Sequence, residues 1–182
     1  MPVTKILPGE FYVTVEEQLI ATVLGSCVSA CVRDRVFGIG GMNHFMLPQQ
    51  SEHVPMDKFD SSANRYGNFA MEHMINTMLT HGAKRENLEF KIAGGGRIIS
   101  GMTNIGQLNI DFILNYIQTE NLQLLAKDLD GDLPRKVIYH PRSGKMLVKK
   151  LKTLHNNTIF SREEHYREQL QQLPVSGGIN LF

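Results

Sequence analysis

A cysteine, Cys27, follows the short Leu24-Gly25-Ser26 segment, and a histidine, His44, stands in Gly41-Met42-Asn43-His44-Phe45. A thiol attacks carbonyl carbon well once ionised, but a free cysteine has a pKa of about 8.5 and needs a neighbouring imidazole or hydrogen-bond donors to react at neutral pH. The two residue types therefore suit amide or ester chemistry if the fold brings them together. Taken singly each has a plainer use, Cys27 as a small buried hydrophobe and His44 as a strand residue bonded to the backbone.

Two extended runs must position the pair. Val28, Ala30 and Val32 alternate with Ser29, Cys31 and Arg33, the period of a strand, and residues 37–47 read as a second strand. Arg33-Asp34-Arg35 supplies the polar turn. A hairpin centred between Arg35 and Val36 sets Cys27 opposite His44, with Cβ atoms roughly 4.5 to 5.5 Å apart. One residue of slip would put them on opposite faces. Gly25 offers a positive φ or room for close approach, which would let the amides near Ser26 and Cys27 face an oxyanion. Without catalysis the same glycine would serve only the turn.

Other candidates are weaker. Gly94-Gly95-Gly96 lacks the Gly-Lys-Ser/Thr continuation of a phosphate loop and the spacing of a dinucleotide loop, so it reads as a close-packed loop beside a cleft. Gly94, Gly95 and Asn43 are the substrate-groove candidates. On one strand Cys27 and Cys31 lie roughly 13 Å apart at about 3.3 Å per residue, too far for a disulfide, and Cys31 reads as core. Two cysteines and one histidine at these spacings are no zinc ligand set, so no metal is expected. His53, His73, His81, His140, His155 and His165 read as surface or helix-face residues.

The 182 residues, 42% hydrophobic, suffice for one core. Lys and Arg number 19 against 18 Asp and Glu, a net charge of +1, so no global field gathers nucleic acid or an anionic membrane. Lys149-Lys150-Leu151-Lys152 reads as a charged strand edge that discourages strand addition. With no run near the roughly 18 apolar residues of a span and no basic-plus-apolar leader, the expectation is a cytoplasmic protein that is not membrane-inserted.

Helices are expected over 64–81 and 105–118, and strands over 11–24, 88–93 and 122–126. A hairpin is expected from 137–140 and 145–151 around Pro141-Arg142-Ser143-Gly144. Residues 49–61 read as a surface loop. Ser161-Arg162-Glu163-Glu164 fits a capping box opening a short helix with Tyr166 and Leu170 on one face. Pro174-Val175-Ser176-Gly177-Gly178 would end that helix before the apolar Ile179-Asn180-Leu181-Phe182. The fold class expected is α+β (an α/β sandwich): one domain, residues 1–153, with a mixed, largely antiparallel β-sheet and helices packed on it. Residues 154–182 form a helical tail expected to be dispensable for chemistry and to affect partner choice or solubility.

The blocks Leu24-Gly25-Ser26-Cys27-Val28-Ser29-Ala30-Cys31, Gly41-Met42-Asn43-His44-Phe45-Met46-Leu47-Pro48, Lys91-Ile92-Ala93-Gly94-Gly95-Gly96 and Asn104-Ile105-Gly106 together closely resemble the CheD family of bacterial chemoreceptor glutamine deamidases, over about residues 5–153. The resemblance implies hydrolysis of glutamine carboxamides on the cytoplasmic helices of methyl-accepting chemotaxis receptors, with Cys27 as nucleophile, His44 as base and no cofactor. It also implies a threonine shortly upstream of the nucleophile as a third group. Thr22 stands five residues before Cys27, with Asn43 and Ser26 as other candidates and an ordinary β-branched strand residue as the alternative for Thr22. Family members are further associated with receptor methylester hydrolysis and with a CheC-type phosphatase as partner. A non-catalytic regulatory binding protein and a thiol peptidase are the competing readings.

Overall fold

The computed structural model describes residues 1–48, 56–98, 104–152 and 156–172. In chain order its elements are β1 (Val3–Lys5), β2 (Phe11–Thr14), β3 (Leu19–Leu24), β4 (Val28–Asp34), β5 (Gly40–Asn43), α1 (Met56–Thr80), a 3-10 turn at Arg85–Asn87, β6 (Leu88–Gly94), α2 (Ile105–Thr119), β7 (Gln123–Leu129), β8 (Arg135–His140), β9 (Lys145–Lys150) and α3 (Asn156–Gln172). The strands divide between two sheets, ordered β2-β5-β4-β6-β7 and β1-β3-β8-β9. Only β1 with β3 and β6 with β7 run parallel among the described pairs, so the expected α+β class with mixed, largely antiparallel pairing holds.

β4 sits between the layers, and its two faces feed different cores. Val28, Ala30 and Val32 join Met71, Met74 and Met78 of α1 and Ile110 and Ile113 of α2. Cys27, just before the strand, and Cys31 point the other way, among Ile20 and Leu24 of β3 and Val137 and Tyr139 of β8. The result is helices over the five-stranded sheet with the four-stranded sheet beneath. Burial on both faces explains why the small polar Ser29 tolerates the interior: its hydroxyl donates to the Asn43 carbonyl, satisfying a group that would otherwise cost stability. β9 forms the outer edge of its sheet, where the expected run of lysines protects it.

The hairpin of β4 and β5 departs from the expected register. It pairs Cys31 with Met42, Val32 with Gly41 and Arg33 with Gly40, and an isolated bridge joins Val28 to Phe45, so it centres between Val36 and Phe37. The cause is Asp34, whose carboxylate accepts from the Val36 and Phe37 N–H groups, while Gly38 takes φ +71°. That turn is longer than the Arg33-Asp34-Arg35 turn expected. Because the displacement is even, Cys27 and His44 keep a common face and become diagonal rather than direct neighbours.

Two other expectations are corrected. α1 begins at Met56, inside the segment expected to be loop through Ser61, because no glycine or proline between Pro55 and Gly67 stops it. Residues 49–55 of that segment lie outside the described residues. α3 begins at Asn156, so Ser161 lies inside the helix and no capping box forms there. A polar start of a helix was indistinguishable from its approach. Pro174 to Phe182, with the expected breaker and apolar end, also lie outside the described residues.

Candidate active site

The turn Gly25-Ser26-Cys27 carries the chain from β3 in one sheet to β4 in the other. All three of its carbonyls are held on one side: Gly96 N–H donates to Gly25 O at 2.8 Å, Asn109 Nδ2 to Ser26 O at 2.9 Å and Gly95 N–H to Cys27 O at 2.8 Å. With the carbonyls held there, the three N–H groups turn the other way and converge. They meet the carboxylate of Glu163 from α3, the Gly25 N–H reaching Oε1 at 2.8 Å, the Ser26 N–H Oε2 at 2.9 Å and the Cys27 N–H Oε1 at 3.2 Å. The Ser26 hydroxyl adds a fourth donor to Oε2 at 2.6 Å. Such a concavity of main-chain amides is an anion site, and it is the arrangement that stabilises an oxyanion.

Neighbours approach these glycines closely. A Cβ on Gly25 would fall 2.0 Å from Ile98 Cδ1 and 2.9 Å from both Glu163 oxygens, and one on Gly94, at φ +121°, would fall 2.1 Å from the Cys27 carbonyl. Close approach, rather than a positive φ, is thus what Gly25 supplies. The glycine run at 94–96 backs the Gly25-Ser26-Cys27 turn from behind, the close-packed loop expected of it.

The Cys27 thiol, the His44 ring and the Glu163 carboxylate present ligand-type atoms within 4.8 Å of one another, all buried. His44 Nδ1 lies 2.7 Å from Thr22 Oγ1. Thr22 has one hydroxyl hydrogen, and Ile6 O accepts it at 2.8 Å. The Thr22 oxygen is then an acceptor towards the ring, which assigns the proton to Nδ1 and leaves Nε2 bare. Nε2 is buried with no hydrogen-bond partner among the described residues. Burial pushes the Cys27 thiol well above its ordinary value, and the adjacent Glu163 charge pushes it further the same way. Burial also lowers His44 to about 3, so thiol and imidazole form a neutral pair in this closed arrangement.

Thr22, Gly25, Ser26, Cys27 and His44 are thus brought together. Asn43 is not: its Oδ1 accepts the Ala30 N–H at 2.8 Å and its Nδ2 faces Met71 Sδ, a use in the helix-side core rather than the groove expected of it. Gly94 and Gly95 lie behind the turn. Cys31 is buried in the core between the sheets, its thiol pushed up to about 12 by that burial. Cys27, His44 and Glu163 also form a donor set for a metal ion, but both Glu163 oxygens already accept from N–H and O–H groups, whose positive ends crowd the place a cation would take. The donor chemistry favours an anion.

Two residues of the site were missed in the sequence. Glu163 shares an i, i+3, i+7 stripe with Tyr166 and Leu170, both buried in the core between the sheets, and a carboxylate on an otherwise apolar stripe was the available signal. Asn109, fully buried in α2, ties Ser26 O to the Leu47 N–H, which its Oδ1 accepts at 2.8 Å. An amide on the buried face of an amphipathic helix was the corresponding sign.

The family described as CheD chemotactic sensory transduction matches residues 46–150. A protein of Hahella chejuensis named probable chemoreceptor glutamine deamidase CheD is 51% identical over 178 residues, covering 98% of this chain and 84% of its own length. Proteins of the same name from Janthinobacterium and Hydrogenovibrio crunogenus are 53% and 51% identical, each covering 98% of this chain and respectively 88% and 93% of their own lengths. With 178 or more of 182 residues aligned, the similarity takes in α3.

Proposed function

The chain belongs to the CheD family, and from that premise we propose that it hydrolyses glutamine carboxamides of chemotaxis receptors to glutamates, through Cys27 as nucleophile. Cys27 Sγ adds to the carboxamide carbon while His44 Nε2 takes the thiol proton. The carbonyl oxygen becomes an oxyanion and accepts from the Gly25, Ser26 and Cys27 N–H groups. His44 returns the proton to the amide nitrogen, the C–N bond breaks and ammonia leaves a thioester. Water then adds to that carbon, giving its proton to His44, and the C–S bond breaks to release a glutamate carboxylate and the thiol. These steps use no cofactor.

One observation carries this reading: the amide nest beside the thiol already holds a glutamate side chain, the chemical product of the reaction. A pure binding module needs neither a bare buried imidazole nitrogen nor a thiol beside it. No helix of the described residues is long and apolar enough to cross a membrane. A cytoplasmic location, receptor cytoplasmic helices as substrate and a CheC-type phosphatase as partner belong to the same proposal. To test it, the purified chain is incubated with a receptor cytoplasmic fragment and the fragment's intact mass is followed. Each modified glutamine is expected to gain the mass difference between an amide NH2 and a hydroxyl, with equimolar ammonia, and an unchanged mass with no ammonia would refute the reading.

Thr22 enters the mechanism through His44. Thr22→Val keeps the strand's shape but removes the acceptor for Nδ1–H, so turnover is expected to fall on the order of tenfold or more, short of the ~10⁴ lost when a buried carboxylate that orients histidine is replaced in a serine triad. KM should change little, and Thr22→Ser should restore the rate. Equal kcat for the valine and serine variants would return Thr22 to an ordinary strand role.

A further inference from the structure

We propose that α3 is a built-in inhibitor, which holds Glu163 in the place of the reaction product and must leave before substrate enters. The inference rests on the deamidase reading for what the site does, but its geometry stands on the contacts themselves.

A carboxylate that served catalysis by orienting His44 would sit at Nδ1. That position belongs to Thr22. Glu163 instead sits on the nucleophile's side, where it accepts from every N–H of the nest and from the Ser26 hydroxyl. An oxyanion formed on a substrate needs those same donors, so carboxylate and oxyanion exclude each other. Glu163 is 1% exposed and Cys27 is fully buried, so in this arrangement no carboxamide reaches the thiol. The negative charge beside Cys27 also opposes thiolate formation.

The remainder of α3 fits this reading. Its buried stripe places Tyr166 against Gly9 and in hydroxyl contact with Tyr66 of α1, while Leu170 enters the core between the sheets. The Glu163 side chain is therefore displayed by a docked helix, as a helix-borne substrate residue would be. A tethered segment competes at high effective concentration, which gives a modest contact real inhibitory strength. The helix itself is 17 residues long, near the length at which an isolated helix is only marginally stable in water, so it depends on docking and can be displaced as a unit. Residues 1–153 would then be the catalytic domain and 154–182 its regulator.

The test uses the full chain carrying Glu163→Ala or Glu163→Gln, each checked for a cooperative melt, with Cys27→Ser to assign the label. Iodoacetamide modification of Cys27 is followed by intact mass. The rate is expected to rise on the order of tenfold or more in Glu163→Ala, the scale set by losing hydrogen bonds to a charged group, and deamidation of a receptor fragment should rise with it. Glu163→Gln keeps the side chain's shape but must set an NH2 group against main-chain N–H donors, because both Glu163 oxygens accept from them, so its alkylation rate should rise with that of Glu163→Ala. A folded Glu163→Ala chain with the wild-type alkylation rate overturns the inhibitor, even if receptor deamidation proceeds. Faster alkylation without deamidation of the receptor fragment supports the occluding helix and overturns the deamidase reading instead.

Discussion

Cys27→Ala is expected to remove receptor-glutamine deamidation, by roughly 10⁴-fold or more, because the amide nest and the histidine alone supply no nucleophile. Cys27→Ser should fail in the same way, since the attack depends on a thiol and the hydroxyl is a poorer nucleophile at neutral pH. Folding should persist: removing one buried sulfur costs about 1 kcal/mol, a shift of roughly 2 to 4 °C in Tm for a chain of this size. Cys31→Ser, four residues along and facing the core between the sheets, should keep most of the activity of a chain that folds. The comparison is made by intact mass of a receptor fragment alongside thermal melts of each variant. Deamidation by Cys27→Ala at near the wild-type rate would sink the covalent mechanism.

How far the sequence led to this site depends on which interactions are local. The period-2 alternation across Val28 to Arg33 located β4, and parity alone sufficed to bring Cys27 and His44 to one face, although the turn was centred one position too early in the chain. The error came from Asp34, whose polarity marked a turn but whose carboxylate reaches onward to the Val36 and Phe37 amides and so lengthens it. Helix periodicity over α2 was read almost to the residue. The start of α1 was not, because Met56, Phe59 and Ala63, though at helical spacing, are separated by polar residues that fit a surface loop equally well.

Glu163 was hidden for a different reason. Ser161 and Glu164 satisfy the spacing of a capping box, and that local pattern drew the reading towards the helix end, while the acid between them engages Gly25, Ser26 and Cys27 across more than a hundred residues of sequence. Nothing local encodes such a contact. The Thr22 to His44 pairing is similarly non-local, depending on β3 in one sheet lying over the end of β5 in the other. The family resemblance pointed to a threonine upstream of Cys27, but the hydroxyl's accounting, one hydrogen given to Ile6 and one accepted from Nδ1, needs three chain segments in place.

His44→Ala carries the second large effect. In the mechanism His44 acts twice, first taking the thiol proton and giving it to departing ammonia, then taking a proton from the water that opens the thioester. Loss of a positioned acid-base group costs about 10²- to 10⁴-fold, so turnover is expected to fall at least about 100-fold. KM should change far less, because the Gly25, Ser26 and Cys27 amides proposed to receive the substrate's oxygen are held by Gly95, Gly96 and Asn109 and do not depend on the imidazole. The pH profile separates a base from a packing residue. Without Nε2 the thiolate forms only through hydroxide, so kcat/KM of His44→Ala should keep rising with pH where the wild-type profile has levelled. A folded His44→Ala chain with wild-type kcat and an unaltered pH profile would assign His44 to packing alone and leave Cys27 without its base.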